Sequence, residues 1–355
     1  MEASTGAHGG SPRVLAVAGL VALAAVLPFA IAFSGNATGA PIAGIALHAI
    51  VSLLAAVLGG RLGLPFLAAA GGAVLFAVHP IHVDVVLDPS ELGVLAAAAL
   101  ALVTVLAHDL ALRRESPVSL GLPLATLAAA FACDRSASIA AAGALAWTAL
   151  VDRKPWSARR NRVLALSTIY AALLAVQLAL GGAGGLARLG QRTVALGHGL
   201  AALVLPLTVP ADSTRGAVPL IGDPETLRSA LSLTLLLAVL AAAFLARRRR
   251  PALAFLAIWY AAALVPAARE LAVRIDAERW LYLPSVAFCL GAAWLVHLGA
   301  ERFDPAEQRH RLGWLVPSMA LALVLVLGWR TARDAAGWSG AQSSDAASPA
   351  GARPP

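Results

Sequence analysis

Apolar residues run along this chain in long solid blocks, at 14–33, 41–60, 62–78, 92–107, 118–132, 137–151, 163–181, 193–209, 228–246, 251–267, 281–299 and 312–329. Between them lie short stretches where Arg, Asp, Pro and Gly collect. A half-buried strand would alternate apolar and polar residues, and these blocks do not. Several approach the roughly 20 residues that a helix needs to cross a hydrocarbon core of about 30 Å. The predicted element is therefore the membrane helix, repeated along the chain. The first block is longer than the roughly 7–15 apolar residues of a signal-peptide core and reads as an uncleaved first helix. The block at 193–209 is the weakest, because it holds Gly197, His198, Gly199 and Pro206. It is expected to lie re-entrant or flat at the interface. Residues 331–355 are rich in Ala, Gly, Ser and Pro, a composition expected to be disordered. No internal repeat is visible.

Orientation follows from the positive charges, since short cytoplasmic loops carry the excess of Arg and Lys. The clusters are Arg113 with Arg114, then 153–162, 247–250 and 302–311. All of them lie inside only if 193–209 does not cross. The expected fold class is thus all-α, a polytopic transmembrane helical bundle of about eleven crossings plus one re-entrant or interfacial helix. Its parts are a cytoplasmic tail at 1–13, a transmembrane domain at 14–329 and a disordered exoplasmic tail at 330–355. The N-terminus is expected inside and the C-terminus outside. The outer face then receives residues 34–40, 79–91, 133–136, 182–225 and 268–280.

Composition agrees with a lipid solvent. The chain is 59% hydrophobic and 13% charged, against about 45–50% and about 25% in soluble domains. A net charge of +8 could suggest nucleic acid. The Arg residues sit instead in clusters between apolar runs, where they orient a membrane protein, and nucleic acid is rejected as a partner. Abundant Ala, Gly and Arg with a single lysine, Lys154, is the bias of a GC-rich genome, and a bacterial inner membrane is the expected location. Two cysteines, Cys133 and Cys289, build neither a disulfide framework nor a zinc site.

Candidate chemistry concentrates on the outer face. The stretch 79–91 holds His79, His82, Asp84, Asp88 and Glu91 at the end of an apolar helix, which Pro80 should break. Ionisable groups at a membrane boundary are costly and suggest a functional site. Its carboxylates can accept a proton from a hydroxyl. His79 and His82 form a lone HxxH, a weak metal signal, and no metal is assigned. The plain alternative is a solvated helix–loop junction. Around 269–280, Arg269, Arg274 and Arg279 stand among Glu270, Asp276 and Glu278. Trp280 and Tyr282 follow, as interfacial residues often do. An Arg held there by a carboxylate suits phosphate oxygens. Cys133, Asp134, Arg135 and Ser136 form a tight turn, and an ordinary polar turn is the plainer reading. His48 and His297 lie inside apolar blocks and are expected to be satisfied within the bundle.

Three segments together resemble one family. FAVHPIHVDVV resembles the HPxHVE segment of the transmembrane, tetratricopeptide-repeat O-mannosyltransferases, which belong to the GT-C glycosyltransferase class. IDAERWLYLPSVAFC resembles their AERYLYLPSVG segment. HAIVSLLAAVLGGRLG resembles their second helix, and LPLTVPADSTRGAVPL a family loop. The resemblance implies a GT-C-like fold without cofactor. It implies transfer of a hexose, typically mannose, from a polyprenyl-phosphate donor in the membrane lipid to a hydroxyl of an exported protein. Carried over by position, Arg279 binds the donor phosphate with Arg274 near it, and Glu278 orients Arg279. His79, His82, Glu91, Asp134, Arg135 and Tyr282 line the cavity. Asp84 stands at the family's Glu, and Asp84 or Asp88 serves as the base, because the first outer loop, 34–40, lacks the family's acidic pair. The family's repeats are absent, which leaves room for a separate repeat protein as partner. The alternatives are a non-catalytic relative that binds lipid-linked sugar and, behind it, a transporter or flippase.

Overall fold

The computed structural model describes residues 12–33, 41–114, 120–152, 154–180, 240–271, 277–302 and 315–347, with a few isolated positions between 203 and 238. Every regular element among them is helical. The long helices are α1 (Pro12–Ala32), α2 (Ile42–Arg61), α3 (Phe66–Ala77), α5 (Leu92–Arg114), α6 (Gly121–Cys133), α8 (Trp156–Leu180), α9 (Pro251–Leu271), α10 (Tyr282–Arg302) and α11 (Leu315–Ala347). Shorter pieces are α4 (Val83–Leu87) and α7 (Ile139–Ala146), with single turns at Pro80–His82, Pro89–Glu91, Arg135–Ser138, Trp147–Val151 and Ala277–Leu281.

Among the described residues, three helical stretches, Ile42–Arg61, Pro89–Arg114 and Arg279–Glu301, are long and apolar enough to cross a membrane. Phe66–Ala77 reaches that length only together with Pro80–Leu87, from which it is bent by 51°. The bend has the cause expected from the sequence. Pro80 ends the α3 ladder, and His79 caps the new turn by accepting the Ile81 N–H at 3.3 Å. The block 193–209 lies outside the described residues except for Leu203, which is helical and buried.

The disorder expected from residue 330 does not begin there. α11 continues to Ala347. Thr331 is buried and donates to the Val78 carbonyl at 2.7 Å, and Ala335 is fully buried. A tail rich in small residues can follow a helix into the bundle where one face packs, and composition alone does not register that contact.

Small residues set the helix spacing. A side chain on Gly44 would collide with the Val86 carbonyl, and one on Gly143 would meet the Trp259 ring at 2.5 Å. Close backbone approach at Gly and Ala is how membrane helices gain packing where lipid offers no hydrophobic drive. The opposite faces are apolar and exposed, as at Leu20, Leu23, Ile42, Leu67, Leu321 and Leu325. Such surfaces suit a hydrocarbon solvent.

Candidate functional site

Three histidines and a tyrosine meet where α2, α3 and α10 come together at the Pro80 bend. His48, His79, His82 and Tyr282 are all buried. Hydrogen bonds assign their protons. His48 Nε2 lies 3.1 Å from the Ala77 carbonyl, which only accepts, so Nε2 carries the proton. Nδ1 then accepts from the Tyr282 hydroxyl at 2.8 Å. Ser285 donates to the Tyr282 carbonyl at 2.6 Å and so accepts from His82 Nε2 at 2.9 Å. His79 Nδ1 takes the Ile81 N–H, and its Nε2 donates to the Leu203 carbonyl at 3.1 Å. Phe76 packs between His48, His82 and Tyr282, with ring centroids 4.4 to 5.4 Å away. One nitrogen, His82 Nδ1, is buried without a hydrogen-bond partner.

This sealing corrects one expectation. His79, His82 and Tyr282 do not line an open cavity, because they are buried and all their polar side-chain atoms but His82 Nδ1 are taken by groups of the bundle itself. Ser285 completes the network and was overlooked in the sequence. Its position three residues after Tyr282 puts both on one helix face. His48 is the satisfied bundle histidine expected. His297 is instead partly exposed and pairs with Glu301 at 3.1 Å along its own helix.

The carboxylates differ in what they do. Asp84 is exposed on α4, with no hydrogen bond to its side chain among the described residues. Asp88 and, on α11, Asp334 act on it electrostatically. Asp88 Oδ1 accepts the Ser90 N–H at 2.8 Å and caps the Pro89–Glu91 turn. Asp134 does the same for Ser136 at 2.7 Å. Both are turn-forming residues in that role, which Asp adopts readily. Arg135 is exposed beside it. Glu91 pairs with Arg279 at 2.9 Å, across 188 positions of sequence. Arg279 also lies over the Trp280 ring at 5.1 Å. An anionic partner therefore comes from the turn that leads into α5. Glu278 lies in the same turn, Ala277–Leu281, as Arg279. Arg274, Arg269, Glu270 and Asp276 lie where side chains fall outside the described residues.

A narrow cleft separates the α5, α9 and α10 ends, lined by Val94, Ser136, Ala263, Arg279, Trp280 and Leu283. The Ser136 hydroxyl is buried and has no hydrogen-bond partner. Cation, indole and unspent hydroxyl thus converge at one place. Among the described residues no group of three or more His, Cys, Asp or Glu side chains is placed to hold a metal.

The far end of α5 holds a second polar cluster that the sequence reading passed over. Asp109 is buried and takes Arg113 at 3.0 Å and Arg61 at 3.4 Å. His108 Nε2 donates to Thr148 at 2.7 Å. There the chain widens into the π turn Trp147–Val151. Arg159 caps its carbonyls, donating to Thr148, Ala149 and Asp152 at 3.3, 3.0 and 2.9 Å. No family model, curated protein or solved structure matches the chain.

Proposed function

We propose that the chain is a GT-C-type membrane glycosyltransferase that moves a hexose, mannose first among them, from a polyprenyl-phosphate donor to a hydroxyl of an exported protein. In this reading it crosses a bacterial inner membrane about eleven times, with the N-terminus inside and the C-terminus outside. The end of the bundle that carries His79 and Arg279 is exoplasmic.

The observation that supports the reading most is the Glu91–Arg279 pair beside the Ser136 and Trp280 cleft. A guanidinium offers a planar fork of donors that matches phosphate oxygens. Glu91 holds that fork in place from a second helix. In transfer, Asp84 takes the acceptor's hydroxyl proton. The acceptor oxygen forms its bond to the anomeric carbon while the bond to the donor phosphate breaks. The released lipid phosphate keeps the bonding electrons, and Arg279 stabilises its charge. Asp84 suits the base better than Asp88, because Asp88 is engaged by the Ser90 N–H.

A second reading is a non-catalytic relative that binds the lipid-linked sugar, alone or for a partner repeat protein. The sealed histidines favour it, since they leave Asp84 without a hydrogen-bonding neighbour to assist it. A transporter or flippase would place charges near the membrane midplane on broken helices. Here Arg61–Asp109, Arg113–Asp109 and Glu91–Arg279 lie at helix ends, while Arg330–Asp334 lies midway along α11, next to Thr331, which bonds the Val78 carbonyl at the Pro80 bend.

Purified protein incubated with polyprenyl-phosphate mannose and acceptor peptides separates these readings. Release of lipid phosphate that disappears in Asp84→Asn supports transfer. Donor binding without turnover, lost in Arg279→Ala, supports the second reading. Absence of donor binding sinks both.

A further inference from the structure

A second cavity among the described residues lies away from the histidines, beside the π turn that Arg159 caps. Its volume is about 350 Å³, inside the roughly 300–1,000 Å³ range of ligand pockets. The wall is formed by Leu150 of the π turn, Leu240 and Phe244 ahead of α9, and Ala254, Ala257 and Ile258 along α9. Ala254, Ala257 and Ile258 follow the spacing of one helix face. Their small side chains leave the hollow, and the large ones around it are Leu, Phe and Ile. Phe244 and Ile258 are exposed, so the cavity opens toward the surface that meets lipid.

One polar side chain lines it. Arg247 donates to the Phe244 carbonyl at 2.8 Å, and its guanidinium carbon lies 3.7 Å from the Phe244 ring centroid. Arg248, Arg249 and Arg250 follow, all exposed. Among the described residues no carboxylate pairs with any of the four. Four other arginines, Arg61, Arg113, Arg279 and Arg330, each pair with a carboxylate. A hollow with apolar walls and an uncompensated cationic mouth asks for a ligand with an apolar chain and an anionic head.

We propose that this cavity holds one acyl chain of an anionic phospholipid, with its phosphate on Arg247. The apolar walls accept hydrocarbon, the Arg run supplies the charge, and a zwitterionic lipid of equal chain length meets only half of that match. Basic residues near a membrane surface are drawn to anionic lipid, which makes the run selective. The proposal does not depend on glycosyl transfer, because the site is at the other end of the bundle from Arg279.

The test uses the delipidated full chain in detergent and native mass spectrometry. The probes are palmitoyl-oleoyl phosphatidylglycerol, the phosphatidylcholine with the same chains, and glycerol phosphate without chains. One phosphatidylglycerol should be retained per chain, at least tenfold more tightly than phosphatidylcholine, and glycerol phosphate should not be retained. Arg247→Gln should weaken phosphatidylglycerol retention, and replacing all four arginines by Gln should bring it down to the phosphatidylcholine level. Ala257→Trp, which fills the hollow, should lose the retained lipid while keeping Arg247. Equal retention of the two lipids overturns the proposal, as does unchanged retention in Arg247→Gln. Should Ala257→Trp not fold, Arg247→Gln at the surface still decides. Retention of glycerol phosphate alone would make the site an anion site and overturn the acyl-chain assignment.

Discussion

At one end of α5, Glu91 meets Arg279 beside histidines whose partners are carbonyls and hydroxyls. At the other end, Asp109 takes two arginines beside a histidine bound to Thr148. The two carboxylates stand roughly 27 Å apart at the helical rise of about 1.5 Å per residue. That is close to the hydrocarbon thickness of about 30 Å. The histidine end is sealed by neutral hydrogen bonds, with its ion pair at the rim. The arginine end reverses this, with the carboxylate inside and the cations half exposed. A bundle end that must admit a ligand needs its cation at the rim. A cluster that only closes the fold can bury its charge, provided that enough counter-charge covers it.

The largest effect should come from stripping the arginine end. Arg61→Ala combined with Arg113→Ala leaves Asp109 buried without a cation. Breaking a buried pair in this sense costs about 3–5 kcal/mol. The reverse change, Asp109→Ala, should cost far less, because the half-exposed arginines can turn to water. Equal losses in the two variants, read from thermal unfolding in detergent, would remove the distinction between buried anion and exposed cations.

The histidine end breaks differently. His48→Phe leaves the Tyr282 hydroxyl and the Ala77 carbonyl unpaired in a buried place, at about 1–3 kcal/mol for each such group. Adding Tyr282→Phe removes one of the two orphans. The double variant should therefore recover part of the loss, a coupling that a thermodynamic cycle measures. Strict additivity would mean that the 2.8 Å contact contributes nothing.

Much of this layout was legible in the sequence and part was not, for physical reasons. Apolar blocks reported helices among the described residues, three of them long and apolar enough to cross a membrane. Pro80 reported the bend, since a missing N–H ends a ladder. The pairing of Glu91 with Arg279 was invisible, because charge complementarity names no partner across 188 positions when Asp276 and Glu278 stand nearer in sequence. The Asp109 cluster was passed over because Arg61 and Arg113 read as orienting charges, a role that needs no partner. The burial of His79 and His82 was hidden because polar residues at a helix end look solvated until their acceptors, Leu203 and Ser285, are placed. The helix through Thr331 was hidden by small residues whose value lies in close contact rather than in hydropathy.

Arg279→Lys sharpens the functional side of the comparison. Lysine keeps a charge for Glu91, and the partly exposed pair is worth at most about 1 kcal/mol to folding. It cannot present a planar fork to phosphate. Stability should hardly move, while affinity for polyprenyl-phosphate mannose falls by about tenfold, or about 1.4 kcal/mol. A loss of stability as large as that of His48→Phe would make Arg279 a structural residue and leave the rim without its binding role.

The smallest effect is the response to salt, and it separates the two ends most directly. At 1 M ionic strength the screening length is about 3 Å. The Arg61–Asp109 contact spans 3.4 Å with its arginine half exposed, so salt reaches it. The destabilisation caused by Arg61→Ala should shrink between low and high salt by less than about 1 kcal/mol, the scale of an exposed pair. The destabilisation caused by His48→Phe should not change, because the hydrogen bonds it removes are buried and join groups without net charge. Comparing each variant with the unaltered chain at the same salt cancels the general effect of salt on the bundle. A salt response at His48 equal to that at Arg61 would mean that the histidine end also carries buried charge, and the contrast between the two ends would fail.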